Sequence, residues 1–142
     1  MTGIQNRNIV DEIIKQKTNI AQSGLIRLVI FLDMIENKIK EEIIGKISVK
    51  RPHKVFLFGS HAYGKPEKES DIDLLVVIDK EGIPKSYQEK SENYLEISRL
   101  LRDINKKISM DILVMTKTQW YEFINKKSGF SKEILSRGIE LI

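Results

Sequence analysis

Two aspartates one residue apart, Asp71 and Asp73, open an apolar run that reaches Ile78, and a third, Asp111, opens another. Alternate residues of a strand share a face, so Asp71 and Asp73 point one way while Ile72 and Leu74 point the other. Adjacent anions repel unless a cation lies between them. A pair of hard carboxylate oxygens suits Mg²⁺ or Mn²⁺ at about 2.1 Å. An isolated Asp-x-Asp is equally well explained by a strand that emerges from solvent at its acidic end. Asp111 tilts the balance, because a charge at the head of a second apolar strand is costly when nothing compensates it. The residues alone therefore suggest metal-supported chemistry.

The second chemical element is Gly59-Ser60, which ends the apolar run Val55–Phe58. A glycine there lets the chain turn sharply and lets a ligand approach the backbone. Ser60 can offer a hydroxyl and an N–H to a phosphate, although, taken alone, the pair is better explained as a plain strand-ending turn. The segment GSHAYGKP nearly matches the phosphate-binding pattern G-x-x-x-x-G-K-[ST]. It fails where it matters: Pro66 has no hydroxyl for magnesium, and no long helix fits before the next strand. His53 and His61 lack metal-ligand spacing, and Trp120 and Tyr121 read as core and rim of an amphipathic helix. Lys106-Lys107 and Lys126-Lys127 read as solvated helix ends.

The elements that must position these residues follow from periodicity. Leu28, Leu32, Ile35, Ile39, Ile43 and Ile47 recur at helical spacing and predict a helix with one apolar stripe, preceded by another helix around Ile4–Lys17, with Gly24 a plausible break. Strands are expected at about 54–58, 72–78 and 109–115. Tyr94, Ile97, Leu101, Ile104 and Ile108 predict one amphipathic helix over about 86–106. Thr116 and Gln119 form a capping-box signature for the next helix. Gly129 is expected to end that helix, a last one to run from about Ser131 to Gly138, and Ile139–Ile142 to offer a short edge strand. Glu81-Gly82 and Pro84 mark a loop expected to move. If Gly59-Ser60 and Asp71 share a site, the first two strands run antiparallel. The long helix after the second strand implies a parallel crossover to the third. Strands ~4.8 Å apart then let the three carboxylates converge.

Bulk properties bound the rest. With 142 residues the chain makes one ordinary domain, read as an N-terminal helical extension over 1–29 and a catalytic core over 30–142. There is no cysteine, hence no disulfide scaffold or thiolate metal site. A net charge of +4 is a weak case for nucleic acid. No secretory signal pattern and no run near the ~20 residues of a membrane helix are present, so the cytoplasm is the expected location.

Taken together, GS-x10-D-x-D (Gly59, Ser60, Asp71, Asp73) with a later strand-borne Asp111 resembles the nucleotidyltransferase fold of the DNA polymerase beta superfamily. It is most similar to the small "minimal nucleotidyltransferase" branch. Ala62 and Gly64 after the GS turn, Ser70 before the first Asp and Leu74 after the second agree with it. So does the run from Asp111 through Trp120 and Tyr121 to Arg137-Gly138. The branch often has Arg where Tyr63 stands. The resemblance covers about residues 30–142 and implies an α/β fold, a small mixed three-stranded sheet packed against helices. It implies two Mg²⁺ ions (Mn²⁺ as a substitute) held by Asp71, Asp73 and Asp111, and ATP as nucleotide donor. Gly59 and Ser60 would orient the β- and γ-phosphates, and Asp111 would help deprotonate the attacking hydroxyl. It further implies a HEPN-family toxin as partner, adenylylated by its antitoxin; the N-terminal helix is a candidate partner-docking or homodimer surface. The small size independently suits a macromolecular acceptor. Two alternatives remain: a non-catalytic partner-binding antitoxin, and a small-molecule transferase of the aminoglycoside-modifying type.

Overall fold

The computed structural model describes residues 11, 24–63 and 71–142. Apart from Asp11, which is helical, the helix expected around Ile4–Lys17 lies outside the described residues, as do Gly64, Lys65 and Ser70. The chain divides into two compact units, Met1–Ile39 and Lys40–Ile142.

Helix α1, Gly24–Ile47, contributes residues to both. In the first unit Leu25, Leu28, Val29, Phe31, Leu32, Met34 and Ile35 are all exposed. In the second, Ile43 and Ile47 are buried. The expected stripe is thus a core stripe only in its last turns. Apolar side chains occupy nearly every position from Leu28 to Leu32. Such a segment has no wet face of its own, and helical spacing fixes only which side chains share a face, not whether a surface meets them.

In the second unit a 3₁₀ turn, Ser48–Lys50, leads to β1, Lys54–Phe58. Strand β2 is Ile72–Ile78, and β3 is Met110–Thr116. β1 pairs antiparallel with β2, and β2 pairs parallel with β3, as the shared site and the helical crossover require. A two-residue strand β4, Ile139–Glu140, adds to the other edge of β1, so the sheet has four strands in the order β3-β2-β1-β4.

The crossover is two helices, where the sequence predicts one. Helix α2 spans Tyr87–Leu100 and α3 spans Arg102–Lys107. Leu101 between them has φ −98° and ψ 5°, and its N–H turns back to the Ser98 carbonyl. The apolar residues Ile97, Leu101 and Ile104 all stay buried across that tightened turn. Helix α4, Lys117–Asn125, starts at the predicted capping box of Thr116 and Gln119. It ends in a turn where Lys127 takes φ 50°. Gly129 does not break a helix. It is the first residue of α5, Gly129–Arg137, because the Ser128 hydroxyl accepts from the Ser131 N–H and caps the helix there. Gly138 follows α5 with an ordinary φ of −65°, and glycine is needed for space: a Cβ would stand 2.5 Å from the Ile134 carbonyl oxygen.

One sheet face carries Phe56, Leu75 and Val77, which pack with Trp120 of α4 and Ile134 of α5. Phe58, Met115, Phe123 and Ile124 close over this cluster, and the Phe56 and Trp120 rings stack at 5.2 Å. Val55, Leu57, Leu74, Val76 and Ile112, also buried, alternate onto the other face. Alternation places Asp73 with Leu75 and Val77, and Asp111 with Met115, on the face that α4 and α5 cover. No helix among the described residues is long and apolar enough to cross a membrane.

Candidate active site

The site lies where β1 ends and β2 and β3 begin. Phe58, the last residue of β1, is the cross-strand partner of Asp73. Asp73 is in turn the register partner of Asp111 on the parallel neighbour. The Ile72 N–H donates to the Ser109 carbonyl at 2.9 Å, which carries the ladder up to the point where Asp71 enters from solvent. The three sequence-predicted carboxylates therefore occupy one end of one sheet. Asp73 is half-buried, whereas Asp71 and Asp111 are exposed.

Gly59 fits against this acid set. Its φ is +72°, a left-handed conformation that favours glycine, and a Cβ there would stand 2.1 Å from Asp73 Oδ2. The Gly59 carbonyl accepts from the N–H groups of Ala62, at 3.0 Å, and Tyr63, at 3.2 Å, closing a turn that opens on Ser60. From the sequence, a glycine here lets a ligand approach the backbone. The structure adds that the nearest side chain requiring the space is the Asp73 carboxylate.

Among the described residues, like charges meet at this end. Burial pushes the Asp73 carboxyl above its ordinary range, Asp111 and then Asp71 push it further, and His61 pulls it back. His61, which spacing alone did not place, is buried in the turn after Ser60. No group of three or more His, Cys, Asp or Glu side chains among the described residues is gathered tightly enough to hold a metal ion. The donor chemistry nevertheless fits a hard divalent cation. It consists of carboxylate oxygens only, two of them in register on neighbouring strands, and Asp73 carries a repulsion that a cation would relieve.

A second cluster adjoins the turn. The Arg137 guanidinium carbon lies 3.7 Å from the centroid of the Tyr63 ring. The Tyr63 hydroxyl is buried without a hydrogen-bond partner. Burial pushes this phenol up; Glu133 adds to that without a well-formed hydrogen bond, and Arg137 opposes it. Nothing local in the sequence pairs Tyr63 with Arg137. The contact depends on the β1–β4 register and becomes visible only with that strand in place.

The fold and site define a class, and the comparisons name it. Residues 37–142 match the family described as "Polymerase beta, Nucleotidyltransferase". The chain belongs to that family. No curated protein matches it. Two solved structures are similar in part. One, described as a toxin-antitoxin crystal structure with AMP-PNP, has 16% identity and a TM-score of 0.43 over 72% of each chain. The other, a mutant of the toxin-antitoxin MntA-HpeT, has 14% identity with the same TM-score and coverage.

Proposed function

We propose that this chain is a metal-dependent nucleotidyltransferase that moves NMP, specifically AMP from ATP, onto a hydroxyl of a partner protein. The observation that carries this reading is the pairing of Asp73 with Asp111 in register, with Asp73 packed against Gly59, in a chain of the polymerase beta nucleotidyltransferase family. Family membership supports nucleotidyl transfer, and the resemblance to the minimal branch supports ATP as donor and a partner protein as acceptor.

Asp71, Asp73 and Asp111 are the residues that would hold Mg²⁺, or Mn²⁺ in its place. Bound there, a divalent ion neutralises charge on the transferring phosphate and polarises it. The chain's own residues do the remaining work. Gly59 and Ser60 present backbone and hydroxyl to the β- and γ-phosphates at the end of β1. Asp111, exposed at the head of β3, takes the proton of the attacking hydroxyl. A bond forms between that oxygen and the α-phosphorus, the α–β bridging P–O bond breaks, and pyrophosphate leaves with the bridging oxygen.

The acceptor reading rests on the GS-x10-D-x-D resemblance to the minimal branch, whose members pair with HEPN-family toxins. Purified protein, Mg²⁺, α-labelled ATP and the all-helical product of a neighbouring reading frame should yield a labelled partner protein. Label on a small molecule alone would reassign the acceptor. Absence of any transfer, with the partner still bound and neutralised, would leave a non-catalytic antitoxin.

A further inference from the structure

Resting on the nucleotidyltransferase reading, we infer that Arg137 grips the phosphate tail of the nucleoside triphosphate and that the Tyr63 ring positions it for this.

Leu57 pairs with Ile139 and Phe56 with Glu140 in antiparallel fashion. Strand β4 is preceded directly by Gly138 and by Arg137, the last residue of α5, so the end of that helix comes to the end of β1 where Gly59 turns. On the other side of β1, Phe58 pairs with Asp73. The Gly59 turn is therefore flanked by the Asp73 carboxylate and by the C-terminal end of α5. Both lie on the same sheet face, since Ile134 of α5 packs with Leu75 and Val77, which alternate with Asp73's neighbours along β2.

A chain of contacts runs from acid to base. Asp73 Oδ2 abuts Gly59, the Gly59 carbonyl accepts from the Tyr63 N–H, and the Tyr63 ring faces Arg137. A guanidinium 3.7 Å from an aromatic centroid is held by cation–π attraction and by loss of ring-face hydration. A guanidinium that lies with its flat face on a ring keeps its N–H edges for other partners. Arg137 is exposed, and among the described residues it forms no ion pair. Glu133, one turn earlier on α5, has not captured it.

The chemistry of such a group is specific. A planar fork of donors matches phosphate oxygens, and a guanidinium remains charged at any working pH. The carboxylate end of the site needs cations, while a triphosphate brings four negative charges to be balanced. A cation on the far side of the Gly59 turn from Asp73 suits the part of the substrate remote from the carboxylates. That part is the β,γ-phosphate tail, which departs as pyrophosphate.

The test uses binding and turnover together. Binding of a non-hydrolysable ATP analogue with Mg²⁺ is measured calorimetrically for the wild type, Arg137→Gln, Arg137→Lys, Tyr63→Phe and Tyr63→Leu. Losing one charge-assisted contact should weaken analogue binding by Arg137→Gln about 10- to 100-fold, with AMP binding unchanged. Lysine should restore binding only in part, because it lacks the fork. Tyr63→Phe keeps the ring and should bind as wild type, whereas Tyr63→Leu should fall between. Thermal melting of each variant checks that the fold survives, and Arg137 is exposed enough that it should. Wild-type binding with an equally strong Arg137→Gln overturns the Arg137 assignment and leaves the nucleotidyltransferase reading standing. Equal losses for AMP and for the triphosphate analogue also overturn it, since the contact would then not lie on the tail. A wild type that binds no nucleotide overturns the underlying reading and this assignment with it.

Discussion

The two ends of strands β2 and β3 carry the same kind of residue in opposite circumstances. Where the strands begin, Asp71, Asp73 and Asp111 share one end of the sheet, and Asp73 is held above its ordinary range by burial and by the other two. Where they finish, Asp79 and Glu81 share Lys117, at 2.8 and 3.1 Å. Lys117 pulls Asp79 below its ordinary value, and its own pKa is pushed up to about 12, chiefly by hydrogen bonds to the two acids. The same end is tied by the Thr116 hydroxyl donating to the Gly82 carbonyl and the Gly82 N–H donating to Thr118 Oγ1 at 2.8 Å. One end is electrostatically complete within the chain. At the other, among the described residues, Asp73 faces burial and two like charges with His61 opposing them, a kind of perturbation that gathers at functional sites.

The largest effect that would test this contrast comes from Asp73→Asn. The substitution keeps the shape and removes one of three charges. Nucleotidyl transfer should fall to background, because the donor set loses its central member. In metal-free buffer at neutral pH the same variant should melt higher than the wild type, because it removes a charge that burial, Asp111 and Asp71 all oppose. Loss of activity and gain of stability in one variant is the pattern of a functional charge. A variant that is both inactive and less stable would place Asp73 among ordinary structural residues. One that transfers near the wild-type rate would remove the site assignment.

Gly59→Ala should come next. A methyl group would have to share space with Asp73 Oδ2 at 2.1 Å, on a backbone at φ +72°. Strain of this kind costs on the order of 1–3 kcal/mol, and it displaces Asp73 from its register with Asp111. Melting temperature and transfer rate should fall together. Combining Gly59→Ala with Asp73→Gly, which vacates the clash, should recover part of the stability and none of the activity.

How much of this was legible beforehand differs between the ends. The strands, their directions and the three aspartates follow from alternation, apolar runs and a crossover long enough for a helix. Gly59 was legible as a turn, but the carboxylate pressing on it was not, since cross-strand contact depends on register. At the other end Glu81-Gly82 and Pro84 mark a loop but do not show that Gly82 bonds to Thr116 and Thr118 at the start of α4, more than thirty residues on. Turn-forming residues reveal that a chain bends and not what the bend touches. The same limit governs α1, where spacing identified a stripe that is buried only at Ile43 and Ile47. Likewise, the helix predicted over 86–106 divides at Leu101 without any proline or glycine to announce it.

The pH dependence of stability should separate the ends by sign. A carboxyl whose folded pKa is raised lets the folded state hold a proton that the unfolded chain has lost. The Asp73 contribution therefore weakens stability as pH rises from about 3.8 through the raised value, in metal-free protein. Asp79 is lowered, so its contribution is present above 3.8 and is lost as pH falls through the depressed value. Melting curves of Asp73→Asn and Asp79→Asn across the acid range should therefore deviate from the wild type in opposite directions. Saturating Mg²⁺ should flatten the Asp73 difference and leave the Asp79 difference unchanged, because an ion that binds only the folded state stabilises it by mass action.

The smallest expected effect tests whether the two ends are independent. Lys117→Met removes the cation shared by Asp79 and Glu81 while keeping a long apolar stem at the start of α4. These are solvent-accessible pairs, so the loss of stability should be modest. Its signature is the alkaline limb. The wild type gains from Lys117 below pH 10.5 and loses that gain as pH rises through about 12; the variant should lack this fall. Nucleotidyl transfer should stay at the wild-type kcat and KM, since the far end of β2 is separated from Asp73 by the fully buried run Leu74–Val77. A Lys117→Met variant that loses transfer along with its alkaline limb would mean that the joint and the site form one electrostatic unit, and the contrast between them would fail.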